Sequence, residues 1–250
     1  MEINSRGGQC DIKKCYPSID RKKVMEFLRK YIKNEPLLNL IALLIGTFET
    51  GLSIGSYLSQ YLCNVFLSQI YHEIAERMYR IRKKRNGIME RIKLVLHQLF
   101  YMDDILILGT NAKDIHKAMK LITQKAEELG LKIKDNWIVF TTVMKRKDDG
   151  HFIDIMGVRI YRHHITIRQR VFLRVRRAYK KAQALIKQKK KIPLWLARKC
   201  ASYKGILDHT NSQKIKKKYQ TVQTIKVCKG VVSHESKIRQ KAKQSYREAA

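Results

Sequence analysis

The stretch Leu94-Val95-Leu96-His97-Gln98-Leu99-Phe100-Tyr101-Met102-Asp103-Asp104-Ile105-Leu106-Ile107-Leu108-Gly109 sets two adjacent carboxylates between two apolar runs. Both flanks read as buried strands rich in branched side chains, which puts Asp103 and Asp104 at the tight turn of a hairpin. Neighbouring aspartates repel one another and need a compensating cation. Hard carboxylate oxygens suit a divalent ion, Mg²⁺ above all. A lone Asp-Asp pair is ordinarily a solvated turn; the apolar flanks, and partners elsewhere in the chain, favour the cation-binding reading.

Working outward, the spacing of Ile115, Ala118, Met119, Ile122 and Ala126 predicts a helix over about 112–129, stopped by Gly130. Strands follow near 131–143 and 152–167, joined by the polar turn Lys145–Gly150. On the other side, a short strand covers Gln9 to Ile12. A helix then starts after Pro17, capped by Ser18 or Asp20, and runs through Val24, Phe27, Leu28 and Tyr31. A second apolar helix covers 36–48, the loop Gly51 to Gly55 follows, and a long helix spans about 57–79. The basic run Arg80–Gly87 reads as a loop. The order β-α-β-β-α-β, with the Asp-Asp hairpin in the middle, predicts an α+β fold: an antiparallel sheet backed by helices. The expected domains are 1–168, a basic helical bundle over 169–225, and a basic disordered tail over 226–250.

Composition narrows the partners. Lys and Arg number 53 against 21 Asp and Glu, a formal charge of +32, which favours a polyanion and most commonly nucleic acid. The apolar run Leu37–Ile45 is too short to cross a membrane, and the N-terminus carries no secretory signal. Five cysteines, an odd number without Cys-x-x-Cys spacing, argue against a disulfide scaffold or a zinc site. They read as reduced thiols in a cytoplasmic protein.

Five segments, in order, then carry a family likeness: Cys10-Asp11-Ile12-Lys13-Lys14-Cys15-Tyr16-Pro17-Ser18-Ile19-Asp20; Gly51-Leu52-Ser53-Ile54-Gly55-Ser56-Tyr57-Leu58-Ser59-Gln60; Tyr101-Met102-Asp103-Asp104; Ile155-Met156-Gly157-Val158-Arg159-Ile160-Tyr161; and Ala201-Ser202-Tyr203-Lys204-Gly205-Ile206-Leu207-Asp208-His209-Thr210-Asn211-Ser212. The ordered set resembles reverse transcriptases, in particular the bacterial retron and diversity-generating group. The resemblance implies a right-hand polymerase palm with a basic helical thumb, and RNA-directed DNA synthesis with two Mg²⁺ ions, for which Mn²⁺ can substitute. In-line displacement at an α-phosphate needs carboxylates from different segments to converge on both ions.

By resemblance Asp11, Asp103 and Asp104 are the catalytic carboxylates and metal ligands, with the Ile12 carbonyl as a backbone ligand. Tyr16 stands at the sugar gate. Ile54, Gly55, Gln60 and Met102 would meet the nucleotide, Ile54 replacing a Gln of retroviral members. Met156 and Gly157 match the primer grip, and Arg170, Arg174, Arg177 and Lys181 would follow phosphates without reading sequence. Lys132 or Lys134 is the candidate general acid. Of Tyr179, Trp195 and Tyr203, at least two are expected in the bundle core rather than stacked on bases. The implied partners are an RNA template, a DNA primer or RNA–DNA hybrid, and deoxynucleotides. The family carries basic fingers ahead of the first motif, whereas Asp11 follows only ten residues here. The expectation is therefore a truncated copy, or one completed by a separate fingers segment or accessory protein. Two alternatives stay open: a non-catalytic RNA-binding or maturase-like remnant, and a template-independent nucleotidyl transferase of a defence system.

Overall fold

A computed structural model describes residues 6–141, 152–161 and 163–248, with the side chains of 239 and 241–248 left aside. The expected turn Lys145–Gly150 lies outside the described residues. The chain divides into two units, Met1–His151 and Phe152–Ala250.

In the first unit, β1 (Arg6–Asp11) leads through the short α1 (Cys15–Ser18) to α2 (Arg21–Tyr31) and α3 (Glu35–Gly46). Capping sets these starts: Asp20 accepts from the Lys22 N–H at 2.8 Å, and Asn34 from the Leu37 N–H at 3.0 Å. Ser18 caps nothing; its hydroxyl turns back to the Lys13 carbonyl. The long α4 (Tyr57–Arg77) follows, then β2 (Tyr79–Lys83), β3 (Met89–Lys93), β4 (His97–Tyr101), β5 (Asp104–Gly109), α5 (Ala112–Glu128) and β6 (Ile138–Thr141). Gly130, in left-handed conformation, donates to the Glu127 carbonyl while Leu131 donates to that of Ala126, so α5 stops where expected.

Four strands form one antiparallel sheet in the order β4-β5-β1-β6. Ile105 and Ile107 of β5, Ile115, Met119 and Ile122 of α5, and Phe66 and Ile70 of α4 share the core beneath it. This is the expected α+β arrangement, an antiparallel sheet backed by helices.

Several local expectations are corrected. β1 begins at Arg6, not Gln9, because Gly7 and Gly8 show no side-chain alternation yet are paired on both sides by β5 and β6. Only one hairpin flank is a buried strand. β4 lies at the sheet edge and alternates exposed with half-buried residues, whereas Leu94 and Val95, which are buried, precede it. Of the expected strand 131–143, the described residues 131–141 hold a strand at Ile138–Thr141 and a single bridge at Ile133. The run Arg80–Gly87 is only partly a loop: Arg80–Lys83 belong to β2, Lys84–Gly87 make the turn, and β2 and β3 pair over five residues each as a separate two-stranded ribbon.

The second unit begins with a three-stranded meander, β7 (Ile153–Ile155), β8 (Val158–Ile160) and β9 (Ile165–Ile167), then α6 (Gln169–Lys187), α7 (Leu194–Asp208), α8 (Gln213–Lys218) and α9 (Thr221–Glu248). The expected boundary at 168 is displaced, since Ile167 packs with Val171 and Phe172 against the helical core and groups the meander with the bundle. The expected disordered tail from 226 is also corrected. Ile225, Cys228, Val231 and Val232 recur at helical spacing and enter the bundle core, so α9 continues without a break. Among the described residues no helix is long and apolar enough to cross a membrane.

Candidate active site

The carboxylates of the first unit converge because of strand register. β1 and β5 run antiparallel with Asp11 directly opposite Asp104, so both side chains leave the same face of the ladder. Tyr101 opposite Asp104 leaves Met102 and Asp103 as a two-residue turn. Met102 adopts φ 55°, a left-handed conformation costing a non-glycine residue about 1–2 kcal/mol. The turn is tied down from the neighbouring strand, the Ile12 N–H donating to the Asp103 carbonyl at 2.9 Å. Asp11, Ile12, Asp103 and Asp104 therefore meet at one end of the sheet. Asp103 is exposed and Asp104 and Asp11 are half-buried.

A cation already attends this cluster. The Lys134 Nζ lies 2.8 Å from Asp11 Oδ2, and the Lys134 N–H donates to the Asp11 carbonyl at 2.9 Å. Hydrogen bonding to Asp11 holds the Lys134 ammonium above its ordinary range, and the charges of Asp103 and Asp104 add to this. The Cys10 thiol is pushed up to about 12, first by burial and then by Asp11 and Asp104. Cys10 on β1 and Lys134 beside the Ile12–Ile133 bridge thus both lie in the field of these carboxylates. Of the two lysines considered from sequence, it is Lys134, next to the Ile12–Ile133 bridge, whose ammonium lies at the cluster. Lys132 accepts instead, through its carbonyl, from the Lys13 N–H.

Tyr16 is half-buried against the first core. Its hydroxyl is held above the usual phenol range, mainly by burial, with Cys63, Cys15, Asp103 and Tyr101 contributing. The Tyr16 carbonyl accepts from the Leu52 N–H at 2.9 Å, and a Cβ on Gly51 would stand 2.3 Å from that same oxygen. The sequence places Gly51 in a loop, but nothing in its spacing shows that this loop lies on the first motif's backbone. Ile54 is 79% exposed, and Gly55 has open space around it. Gln60 sits half-buried in the first turns of α4, its N–H donating to the Ser56 carbonyl. Cys15 and Cys63 lie buried beneath this region, with sulfurs 3.7 Å apart.

The other expected residues belong to the second unit. Met156 and Gly157, both with positive φ, make the two-residue turn between β7 and β8. Arg170, Arg174, Arg177 and Lys181 form one exposed stripe on α6, opposite Val175, Ala178, Tyr179 and Ala182 in the core. Tyr179 is fully buried and donates to the Cys200 carbonyl, and Tyr203 packs on the same core. Trp195 is 54% exposed, with the Lys181 ammonium 5.0 Å from its ring centre.

Among the described residues no three His, Cys, Asp or Glu side chains are gathered closely enough to hold a metal by themselves. The donor set still suits Mg²⁺, which is typically held by one or two carboxylates with substrate phosphates completing its shell.

The family model for "Reverse transcriptase (RNA-dependent DNA polymerase)" matches residues 7–160. Among solved structures, the chain is similar to telomerase from Candida albicans in complex with a fragment of telomeric RNA (13% identity, TM-score 0.48, 97% of this chain and 40% of that one). It is also similar to telomerase from Candida tropicalis in complex with such a fragment (10%, 0.49, 97% and 40%) and to the apo telomerase of that organism truncated from its C-terminal domain (14%, 0.43, 63% and 34%). The chain thus spans two fifths or less of the length of these relatives. None of the curated proteins matches its sequence.

Proposed function

The chain belongs to the reverse transcriptase family, and on that footing we propose that it performs RNA-directed DNA synthesis, adding deoxynucleotides to a DNA primer on an RNA template. The observation that carries the reading is the in-register pairing of Asp11 with Asp104 beside the strained Met102-Asp103 turn, with Lys134 drawn to the cluster.

In this reading Asp11 and Asp103 hold Mg²⁺, with Asp104 as the third carboxylate and the Ile12 carbonyl as a backbone donor. The ions, when bound, supply the positive charge that favours an ionised primer hydroxyl and offsets the charge on the leaving phosphate. The chain's own groups do the rest. The β1–β5 ladder keeps the carboxylates at fixed spacing, which avoids reorganisation when charge develops. Lys134, held protonated by its carboxylate neighbours, can give its Nζ proton to the departing pyrophosphate. Tyr16, braced from below by the Gly51–Leu52 backbone, presents a rigid ring against a 2′-hydroxyl. In the second unit, the Met156-Gly157 turn would steady the primer, and the α6 stripe would follow phosphates.

The test is Asp103→Asn. The exposed turn position should leave the fold intact, since no core packing is lost, while nucleotide addition falls by three orders of magnitude or more, about 4 kcal/mol of barrier. A folded variant that extends a primer on RNA at the parental rate, with saturating Mg²⁺, would exclude the assignment of Asp103, whereas RNA binding without any extension by the parental chain would favour the non-catalytic RNA-binding alternative.

A further inference from the structure

The ribbon of β2 and β3 is an element that packing does not explain. Its root is fixed: Met78 and Leu94 are buried, and the Leu94 N–H donates to the Met78 carbonyl at 2.9 Å. Its tip is closed, the Gly87 N–H donating to the Lys84 carbonyl and the Lys84 N–H to that of Ile88. Between root and tip every residue from Tyr79 to Met89 is exposed. Over Tyr79–Lys93 there are seven Lys and Arg against one acid, Glu90, whose carboxylate is already paired with Lys84 at 2.9 Å.

Register sorts these residues. Tyr79 lies opposite Lys93, Ile81 opposite Arg91 and Lys83 opposite Met89, so one face crosses an apolar side chain with a basic one in every row. The other face carries Arg80, Arg82, Glu90 and Ile92. On the first face the Arg91 guanidinium lies 3.6 Å from the centre of the Tyr79 ring and also donates to the Glu76 carbonyl of α4. A planar cation is thereby held over an aromatic ring while remaining exposed. Guanidinium planes and aromatic rings are surfaces on which unstacked bases lie, while lysines meet phosphates. A duplex backbone would need only the charges; Tyr79, Ile81 and Met89 would gain nothing from it.

We propose that the Tyr79–Lys93 ribbon is an arm that binds single-stranded RNA through its Tyr79–Ile81–Met89 face, as a surface additional to the carboxylate site. The inference does not require nucleotidyl transfer, and its test leaves Asp11, Asp103 and Asp104 in place. Binding of the full chain to a fluorescein-labelled oligouridylate is followed by anisotropy across a salt series. Lys83→Gln with Lys93→Gln should lower the magnitude of the log–log salt slope by about 1.4, two contacts at about 0.7 each on a single strand. Tyr79→Ala should weaken binding about fivefold or more with the slope unchanged. The control, Arg80→Gln with Arg82→Gln, removes the same charge from the opposite face and should change the slope by less than half as much. Replacing Ile81–Arg91 by Asn-Gly removes the arm above its root, leaves Arg80 paired with Ile92, and should weaken binding and lower the salt slope through the loss of Ile81, Lys83, Met89 and Arg91, although Tyr79 and Lys93 remain. Equal effects from the two double variants would reduce the ribbon to diffuse charge and overturn the proposal. So would unchanged RNA binding in the armless chain, including the case where only its binding to phosphatidylglycerol vesicles falls.

Discussion

Gly51→Ala should be far more damaging than Gly55→Ala, although both glycines sit in one loop and both have positive φ, 47° and 92°. Each alanine meets left-handed strain of about 1–2 kcal/mol. Each regains part of that, about 0.4–1 kcal/mol, by restricting the unfolded chain. Gly55 has nothing within 4 Å of a built Cβ, so its variant should lose about 1 kcal/mol. At Gly51 the Cβ would stand 2.3 Å from the Tyr16 carbonyl oxygen and 2.6 Å from that of Pro17, both of them backbone. The loop must lift, which adds an overpacking cost of about 1–3 kcal/mol and weakens the Leu52–Tyr16 hydrogen bond, worth about 1 kcal/mol. The excess of Gly51→Ala over Gly55→Ala is then about 2–3 kcal/mol. With a urea dependence of about 2 kcal/mol/M, its midpoint should fall about 1–1.5 M below that of Gly55→Ala. The chain has two tryptophans, and a Trp195→Phe background leaves Trp137, packed on the first core, as reporter of the first unit. Equal midpoints for the two variants would mean that the glycine loop does not rest on the Tyr16 backbone.

Replacing Tyr16 by Val should raise ribonucleotide relative to deoxynucleotide incorporation at least about tenfold, 1.4 kcal/mol of discrimination; an unchanged ratio in an active variant would leave Tyr16 a packing residue. Changing Arg170, Arg174, Arg177 and Lys181 together to Gln should reduce the magnitude of the salt slope for RNA–DNA hybrid binding by about 3, while helicity is retained because all four are exposed; a slope within experimental error of the parent's would take the stripe out of the interface. Asp208 is bonded to Lys204 and Lys216, which lower its carboxyl pKa from 3.8 to about 2. Its folded value lies below its unfolded one, so its stabilisation is full above 3.8 and is lost as pH falls toward about 2. Asp208→Asn should flatten that part of the acid unfolding curve of the second unit, read from Trp195 in a Trp137→Phe background, and an unaltered curve would contradict the pairing.

Local signals made much of this chain legible before its structure. The capping side chain at Asp20, the apolar spacing of α5 and the breaker Gly130 act over a single helical turn, so those elements fall close to where the sequence puts them. The Asp-Asp turn is similarly local, since Tyr101 and Asp104 are joined by two residues. Family motifs added Asp11, which no short-range rule links to the turn.

Long-range pairing was not legible. β1 opens on Arg6 and two glycines whose strand state is set by partners about a hundred residues away, and the ribbon looked like a charge run because its order comes from cross-strand hydrogen bonds rather than from a core. The apolar spots of α9 are too sparse to announce a helix until the bundle supplies a surface for them. Lys134 and Gly51 make the same point at the site. Chemistry suggested a lysine and a flexible loop, but an ammonium finds Asp11, and a loop finds the Tyr16 carbonyl, through folding of distant segments into contact. Side-chain type and spacing act along the chain, whereas charge and steric exclusion act through space, and only the folded chain sets those distances.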